Sequence, residues 1–337
     1  MATTVVLFGL AGPGLPTRAG AAEPDEGSIG IRLLEAPTNR RDDPRALRYI
    51  VDHLRPGTTI KRQLLIVNRS AQRHAVELYP AAASVDDTKF VFAGGRAANE
   101  LTSWITIDRD AIELEPWEET RVRATIAVPA DAPAGERYGV LWASAASSPS
   151  PSGGQVTQVH RVGVRVYLDV GEGGEPVSDF TIGEMRPARS SQGEPSVTVR
   201  VANTGGRAVD LTGTVMLSDG PAGSRVGPFP VSEGTTLAAG ATGQVSARFP
   251  AELPNGPWKI EVNLKSGRVE RSATGRIQFP DPGGEGVRAT LYSRMLTGWG
   301  AVAAVAGLLF LAGLAVLARR FRRTPTRVPC ERISANR

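Results

Sequence analysis

The sequence predicts an all-β chain: two tandem immunoglobulin-like β-sandwich domains followed by a single transmembrane α-helix. Three observations carry that expectation. Apolar and polar residues alternate over several short segments, the period of a strand with one buried face. Turn signals separate these segments (Pro56-Gly57, Gly94-Gly95, Gly205-Gly206, Asn255-Gly256), with no helical periodicity between them. One long uncharged run, Met295–Ala318, lies near the C-terminus.

Residues 1–22 read as a signal peptide. Thr3–Leu15 is mostly apolar and too short to span a bilayer, and Ala19-Gly20-Ala21 supplies the small-x-small cleavage pattern. The first sandwich is assigned to residues 28–170. Its Leu64–Val67 run reads as a central strand. Val122, Ala124, Ile126 and Val128 alternate with Arg121, Arg123, Thr125 and Ala127, and Val162 to Val170 alternates in the same way. Ser147–Gly154 reads as a mobile hairpin loop inside this domain. Residues 171–176, rich in Gly and Glu, are a linker expected to carry few contacts. The second sandwich is assigned to 177–280, with strands at Val197–Val201 and Trp258–Leu264.

Residues 281–295 then form a juxtamembrane linker and 296–318 the transmembrane helix. Gly298–Ala318 would span roughly 32 Å, the thickness of a bilayer core. Trp299 stands where an interfacial aromatic belongs. Arg319, Arg320, Arg322 and Arg323 follow at once, which keeps the basic tail 319–337 cytoplasmic and both sandwiches outside. The expected localisation is the cell membrane, single-pass. Gly300, Ala303, Ala304 and Gly307 would let two such helices pack closely, a route to a weak dimer.

The two sandwiches repeat one frame. Leu64-Leu65-Ile66-Val67-Asn68 parallels Val199-Arg200-Val201-Ala202-Asn203, and Leu114-Glu115-Pro116 parallels Leu237-Ala238-Ala239-Gly240. Val128-Pro129 to Tyr138 parallels Phe249-Pro250 to Trp258. Asn68 and Pro129 lie 61 positions apart, Asn203 and Pro250 only 47, so the first copy holds an insert, placed within Ala82–Ser103. Phe90 and Phe92 alternate around Val91 there. They suggest a short edge strand with an aromatic face, able to accept a partner's strand, or a flap over the core.

The charge balance excludes a nucleic-acid binder. Seven Arg against one Glu in 319–337 make +6 of the chain's net +5, which leaves −1 for the other 318 residues. The one cysteine is Cys330, in the tail, so no disulfide staples the sandwiches. His53, His74 and His160 stand far apart, and no nucleophile elbow, phosphate loop or zinc motif occurs. No enzyme, cofactor or metal is expected. Asp52-His53 reads as a strand-end pair and not an acid–base couple. Asp86-Asp87 and Asp108-Arg109-Asp110 read as turn caps and not calcium loops. Trp104 and Trp142 are either sugar-stacking platforms or core residues.

Several of these motifs come together in one resemblance. The run from Arg48-Tyr49-Ile50 through Ile66-Val67-Asn68 and Leu101-Thr102-Ser103-Trp104-Ile105 to Leu114-Glu115-Pro116 and Gly135-Glu136-Arg137-Tyr138-Gly139 resembles the WxL-interacting protein family, in an Arg/Ala-rich, actinobacterial flavour. The resemblance spans nearly the whole chain. It implies a bacterial surface protein of two immunoglobulin-like domains, the first associated with peptidoglycan and the second with partner proteins. Peptidoglycan or surface proteins are the expected partners, and the candidate binding residues are Phe90 and Phe92 of the insert, with Trp104 as a stacking ring. The Trp104–Ile107 strand, the Leu114-Glu115-Pro116 turn and the Arg121–Val128 strand are also similar to the first domain of pilus-assembly chaperones. That likeness implies an alternative, chaperone-like role by strand donation.

Overall fold

The structure is a computed structural model that describes residues 29–146, 159–232, 234–287 and 289–292. The expected signal peptide, the transmembrane segment with Trp299, and Arg319, Arg320, Arg322 and Arg323 lie outside the described residues. Among the described residues no helix is long and apolar enough to cross a membrane.

Chain segments 29–170 build ten strands: β1 (Ile29–Leu33), β2 (Ile50–Leu54), β3 (Thr59–Asn68), β4 (His74–Asp86), β5 (Lys89–Phe92), β6 (Ile105–Ile107), β7 (Ala111–Leu114), β8 (Glu119–Ala127), β9 (Gly135–Ala146) and β10 (Val159–Val170). One sheet has the order β1-β3-β8-β6; the facing sheet runs β5-β4-β9-β10-β2, with β7 also on β4. Pairing is antiparallel except for β2, which lies parallel to β10. The apolar Leu64–Val67 run is indeed central, flanked by β1 and β8.

The described residues beyond 170 build nine more strands: β11 (Phe180–Arg189), β12 (Pro195–Asn203), β13 (Val209–Ser218), β14 (Val226–Pro230), β15 (Thr235–Leu237), β16 (Thr242–Arg248), β17 (Trp258–Ser266), β18 (Val269–Ile277) and β19 (Thr290–Tyr292). Their sheets are β11-β12-β16 and β15-β13-β17-β18-β19, with β14 also on β13. The chain is all-β, as the alternation predicts, and each half is a two-sheet sandwich.

Each sandwich closes on its own core. Leu64, Ile66, Leu114, Ile126, Leu141 and Val166 meet in the first, and Phe180, Val199, Val201, Leu211, Trp258 and Val262 in the second. Side chains on alternate positions of facing sheets interlock there, which is why the period-two pattern was so readable. In the insert, β4 and β5 form a hairpin with Asp87 in the left-handed region at its tip. The insert also contains the one α-helical turn among the described residues, α1 (Glu100–Ser103), which the alternation did not predict. Asn99 starts it by accepting the Thr102 N–H while Thr102 Oγ1 accepts the Asn99 N–H, a reciprocal capping box.

The two halves are joined more closely than a linker of few contacts would allow. Lys89 of β5 pairs with Thr235 of β15, and the Thr236 N–H donates to Thr88 O at 2.9 Å. One sheet thereby continues from β2 to β19 across both halves. A third apolar cluster forms at the junction, where Ala46, Val51, Phe90 and Tyr167 meet Ala208. Along β10 both registers become buried: Tyr167 and Asp169 are covered on the face opposite Val166, Leu168 and Val170.

Candidate interaction surface

One repeated asparagine positions the loops of both sandwiches. Asn68 Nδ2 donates to Gln72 O, Leu114 O and Glu115 O, at 2.6, 3.3 and 2.8 Å. Asn203 Nδ2 donates to Arg207 O, Leu237 O and Ala238 O, at 2.8, 3.0 and 2.9 Å. Each amide therefore ties a strand end to the loop that follows and to a turn about forty residues later. Both side chains are buried, where only hydrogen-bonded amides are stable.

At the junction the loop after Asn203 becomes part of a buried charge network. The Arg207 side chain is 0% exposed. It pairs with Glu175 of the linker, lies 3.6 Å from Glu136 and donates Nη2 to Asp52 O at 3.1 Å. Arg40 also pairs with Glu175. Asp210 accepts from Arg45 Nε at 2.5 Å and from Tyr167 Oη and Thr236 Oγ1, each at 2.7 Å. Burial lowers the pKa of Arg207 against the pull of Glu136, and lowers that of Arg40, where the charge of Arg207 adds to the effect. Burial also opposes the charge on Arg45, but Asp210 outweighs it and holds that pKa above the ordinary range. The Tyr167 hydroxyl is pushed upward by burial and by Asp210, and that of Tyr138 by burial and by Glu136. Opposite charges from the two halves pair in this network, which couples them.

The outer face of the first sandwich carries a second cluster, made of rings and arginines. Phe90 lies tilted against Tyr167 at 5.1 Å and edge-on to Tyr138 at 6.1 Å. Phe92 lies 5.0 Å from Trp142. The Arg165 guanidinium sits 4.7 Å over Phe90 and the Arg161 guanidinium 4.4 Å over Trp142. Gly163 lies under Trp142: a Cβ there would come within 2.6 Å of the indole, so the strand stays flat for the ring.

The edge beside this cluster is open. β10 pairs with β9 along its whole length but with β2 only over Val166–Val170. The Gly171 N–H donates to Leu54 O on the β2 side. Backbone groups alternate along a strand, so the N–H and C=O of Arg161 and Gly163 point to that same side, where no described strand meets them. β9 and β10 pair antiparallel, Ala146 facing Val159, and the loop expected at Ser147–Gly154 lies outside the described residues.

Of the predicted binding residues, Phe90 and Phe92 meet edge-on with ring centroids 5.3 Å apart, whereas Trp104 lies away from them in the first core. Phe90 is 6% exposed and belongs to the junction cluster; Phe92 is 39% exposed beside Val91. Their strand has its outer edge met by β15 at Lys89 alone. Trp104 is 7% exposed in the first core, with Arg137 over its ring at 4.8 Å, so it presents no face to a sugar. Trp142 is equally buried. Asp52 pairs with Arg62 at 2.5 Å, and His53 with Asp169 at 2.6 Å, not with its sequence neighbour. Asp108 accepts the N–H of Arg123 on β8, a cross-strand contact and not the expected turn cap. Among the described residues no group of His, Cys, Asp or Glu is placed to hold a metal ion.

Sequence reasoning missed the open half of β10, because register with β2 is not written in either segment. It also missed Trp117, which is 67% exposed. The repeat carried that signal: aligning Leu114-Glu115-Pro116 with Leu237-Ala238-Ala239 puts Trp117 on Gly240.

No family model and no curated protein matches the chain. Among solved structures, the Pseudomonas aeruginosa CupB2 chaperone is similar at 12% identity and a TM-score of 0.36, covering 67% of this chain and 96% of that one. The complex of the Salmonella enterica SafA pilin with the SafB chaperone gives 10% identity and a TM-score of 0.39, covering 73% and 95%. The CsuC–CsuE chaperone–tip adhesion subunit complex of Acinetobacter baumannii gives 13% and 0.36, covering 68% and 96%. At such values the likeness carries no argument; the sandwich architecture rests on the strand pairing described above.

Proposed function

We propose that this protein is a non-catalytic surface protein whose first sandwich holds a partner protein by strand addition at β10. The supporting observation is the open edge at Arg161 and Gly163. Main-chain groups there are ready for hydrogen bonds, and Val162 and Val164 face inward beside them. An extended segment of a partner would complete the ladder and extend the core, which is the physics of strand addition. A partner that is itself an unfinished sandwich would borrow β10, the chaperone-like form of the same contact. Anchoring by residues 296–318, exposure of the sandwiches outside the cell and retention of cell wall belong to the same proposal. They rest on the resemblance to the WxL-interacting family and on the apolar run followed by arginines.

The test uses the edge itself. Arg161→Pro removes one outward N–H without breaking a bond to β9, while Arg161→Ala keeps the backbone intact. Each full-length variant is used to capture proteins from a surface extract, and hydrogen exchange is read across Val159–Arg165. Capture that survives in Arg161→Ala, fails in Arg161→Pro and slows exchange at Arg161 and Gly163 supports the proposal. Equal capture by all forms, with no slowing of exchange, removes β10 as the contact.

A further inference from the structure

Trp117 occupies a position that the fold reserves for left-handed backbone. Its φ is +65° and that of its counterpart Gly240 is +74°. Each residue is third in a tight turn closed by a backbone bond, Glu118 N–H to Glu115 O at 3.1 Å and Ala241 N–H to Ala238 O at 3.0 Å. Both turns are clamped by an asparagine, as above. A side chain is strained in this region and glycine is not. Packing does not repay the strain, since the indole is 67% exposed whereas Trp104, Trp142 and Trp258 are buried. A large ring held out at such a site calls for a ligand.

Its surroundings choose the ligand's charge. Glu113, Glu115, Glu118 and Glu119 are all exposed around the turn. Among the described residues the one cation paired with them is Arg73, 3.3 Å from Glu113 and 3.4 Å from Glu115. An exposed aromatic ring on a turn flanked by glutamates favours a cation. Its place in the fold favours a protein. The turn lies at the end of the first sandwich far from the second, together with residues 69–73 and the Ala146–Val159 end of the β9–β10 pair. The equivalent end of the second sandwich presents Arg207 and Ala208, buried against the first, while Gln72 and Arg73 of the first remain exposed.

We propose that Trp117 is an anchor for a basic side chain of a partner protein, which stacks on the indole among these glutamates. This contact is separate from the β10 edge and does not depend on it. The probes are hexa-arginine peptide and, separately, a neutral N-acetylglucosamine hexamer, titrated calorimetrically into the full-length chain at low salt. The peptide is expected to bind saturably. Trp117→Gly, and Glu115→Gln with Glu118→Gln, are each expected to weaken it at least tenfold, and Trp117→Phe less. Glycine already serves the matching turn, so a single melting transition no lower than that of wild type will show that Trp117→Gly keeps the fold. Peptide affinity within twofold of wild type in Trp117→Gly overturns the proposal. So does saturable binding of the hexamer in place of the peptide, which would make the ring a sugar platform.

Discussion

The two sandwiches share a frame and differ in what covers it. Asn68 and Asn203 make the same three donations to the same three places. The loop after Asn203 is buried by the neighbouring domain, and Arg207 fills the junction; the loop after Asn68 is bare. Where the second copy has Gly240, the first exposes Trp117. Equal scaffolds with unequal surroundings separate the residues kept for folding from those available for contact. The first copy thus concentrates the open features: the β10 edge, the ring of Trp117 and the loop end beside it.

The largest expected effect tests the coupling. Asp210 receives Arg45, Tyr167 and Thr236, so Asp210→Ala leaves the buried Arg45 without its partner. Breaking a buried pair from one side costs about 3–5 kcal/mol. Calorimetry should show one transition in the wild type and two in the variant, the halves having come apart. Two transitions already present in the wild type would mean that the junction does not couple them.

Next in size are the two brackets. Asn68→Ala and Asn203→Ala each strand buried carbonyls, at about 3 kcal/mol. Urea denaturation should show similar losses for both. The comparison sharpens if Asn203→Ala also splits the melting transition, because it frees the loop that carries Arg207, while Asn68→Ala does not.

These two predictions mark what could be read in advance. The strands were legible because one face is wet and one dry, and a period of two reports that directly. The brackets were half legible: Asn68 and Asn203 stood in matching positions, though the carbonyls they reach lie up to 47 residues away. The junction was illegible. Arg45 and Asp210 are 165 positions apart, and the Gly-rich linker that contributes Glu175 looks like a spacer in sequence. Phe90 and Phe92 were found as a pair, yet alternation cannot say that a neighbouring domain covers one and spares the other.

A smaller effect is expected at alkaline pH. Burial and neighbouring carboxylates raise the pKa of Tyr167 and Tyr138 above the ordinary value of 10.0. The unfolded chain loses these protons first, so above pH 10 it binds fewer protons than the folded chain and stability falls as pH rises. Below pH 10 both states keep the protons and the contribution is constant. Denaturation midpoints should decline above pH 10, and Tyr167→Phe should flatten the decline. A midpoint independent of pH in that range would show that the junction opens before these hydroxyls titrate.

The smallest effect bears on the pair Trp117 and Gly240. Both turns need positive φ. A side chain there costs about 1–2 kcal/mol, while glycine gives back about 0.5–1 kcal/mol through the greater freedom of its unfolded chain. Trp117→Gly should therefore raise stability slightly, by about 0.5 kcal/mol, and Gly240→Ala should lower it by a similar amount. No new contact is made or lost in either case, because Trp117 is exposed and a Cβ on Gly240 would have nothing within 4 Å. Paired urea titrations of the two variants can resolve the opposite signs even where each shift is small. If Trp117→Gly instead lowers stability, the indole is packing against its own turn, and its exposure is not kept for a partner. If Gly240→Ala is neutral, the bracket imposes less on the turn than its three hydrogen bonds suggest, and strain is no argument at Trp117 either.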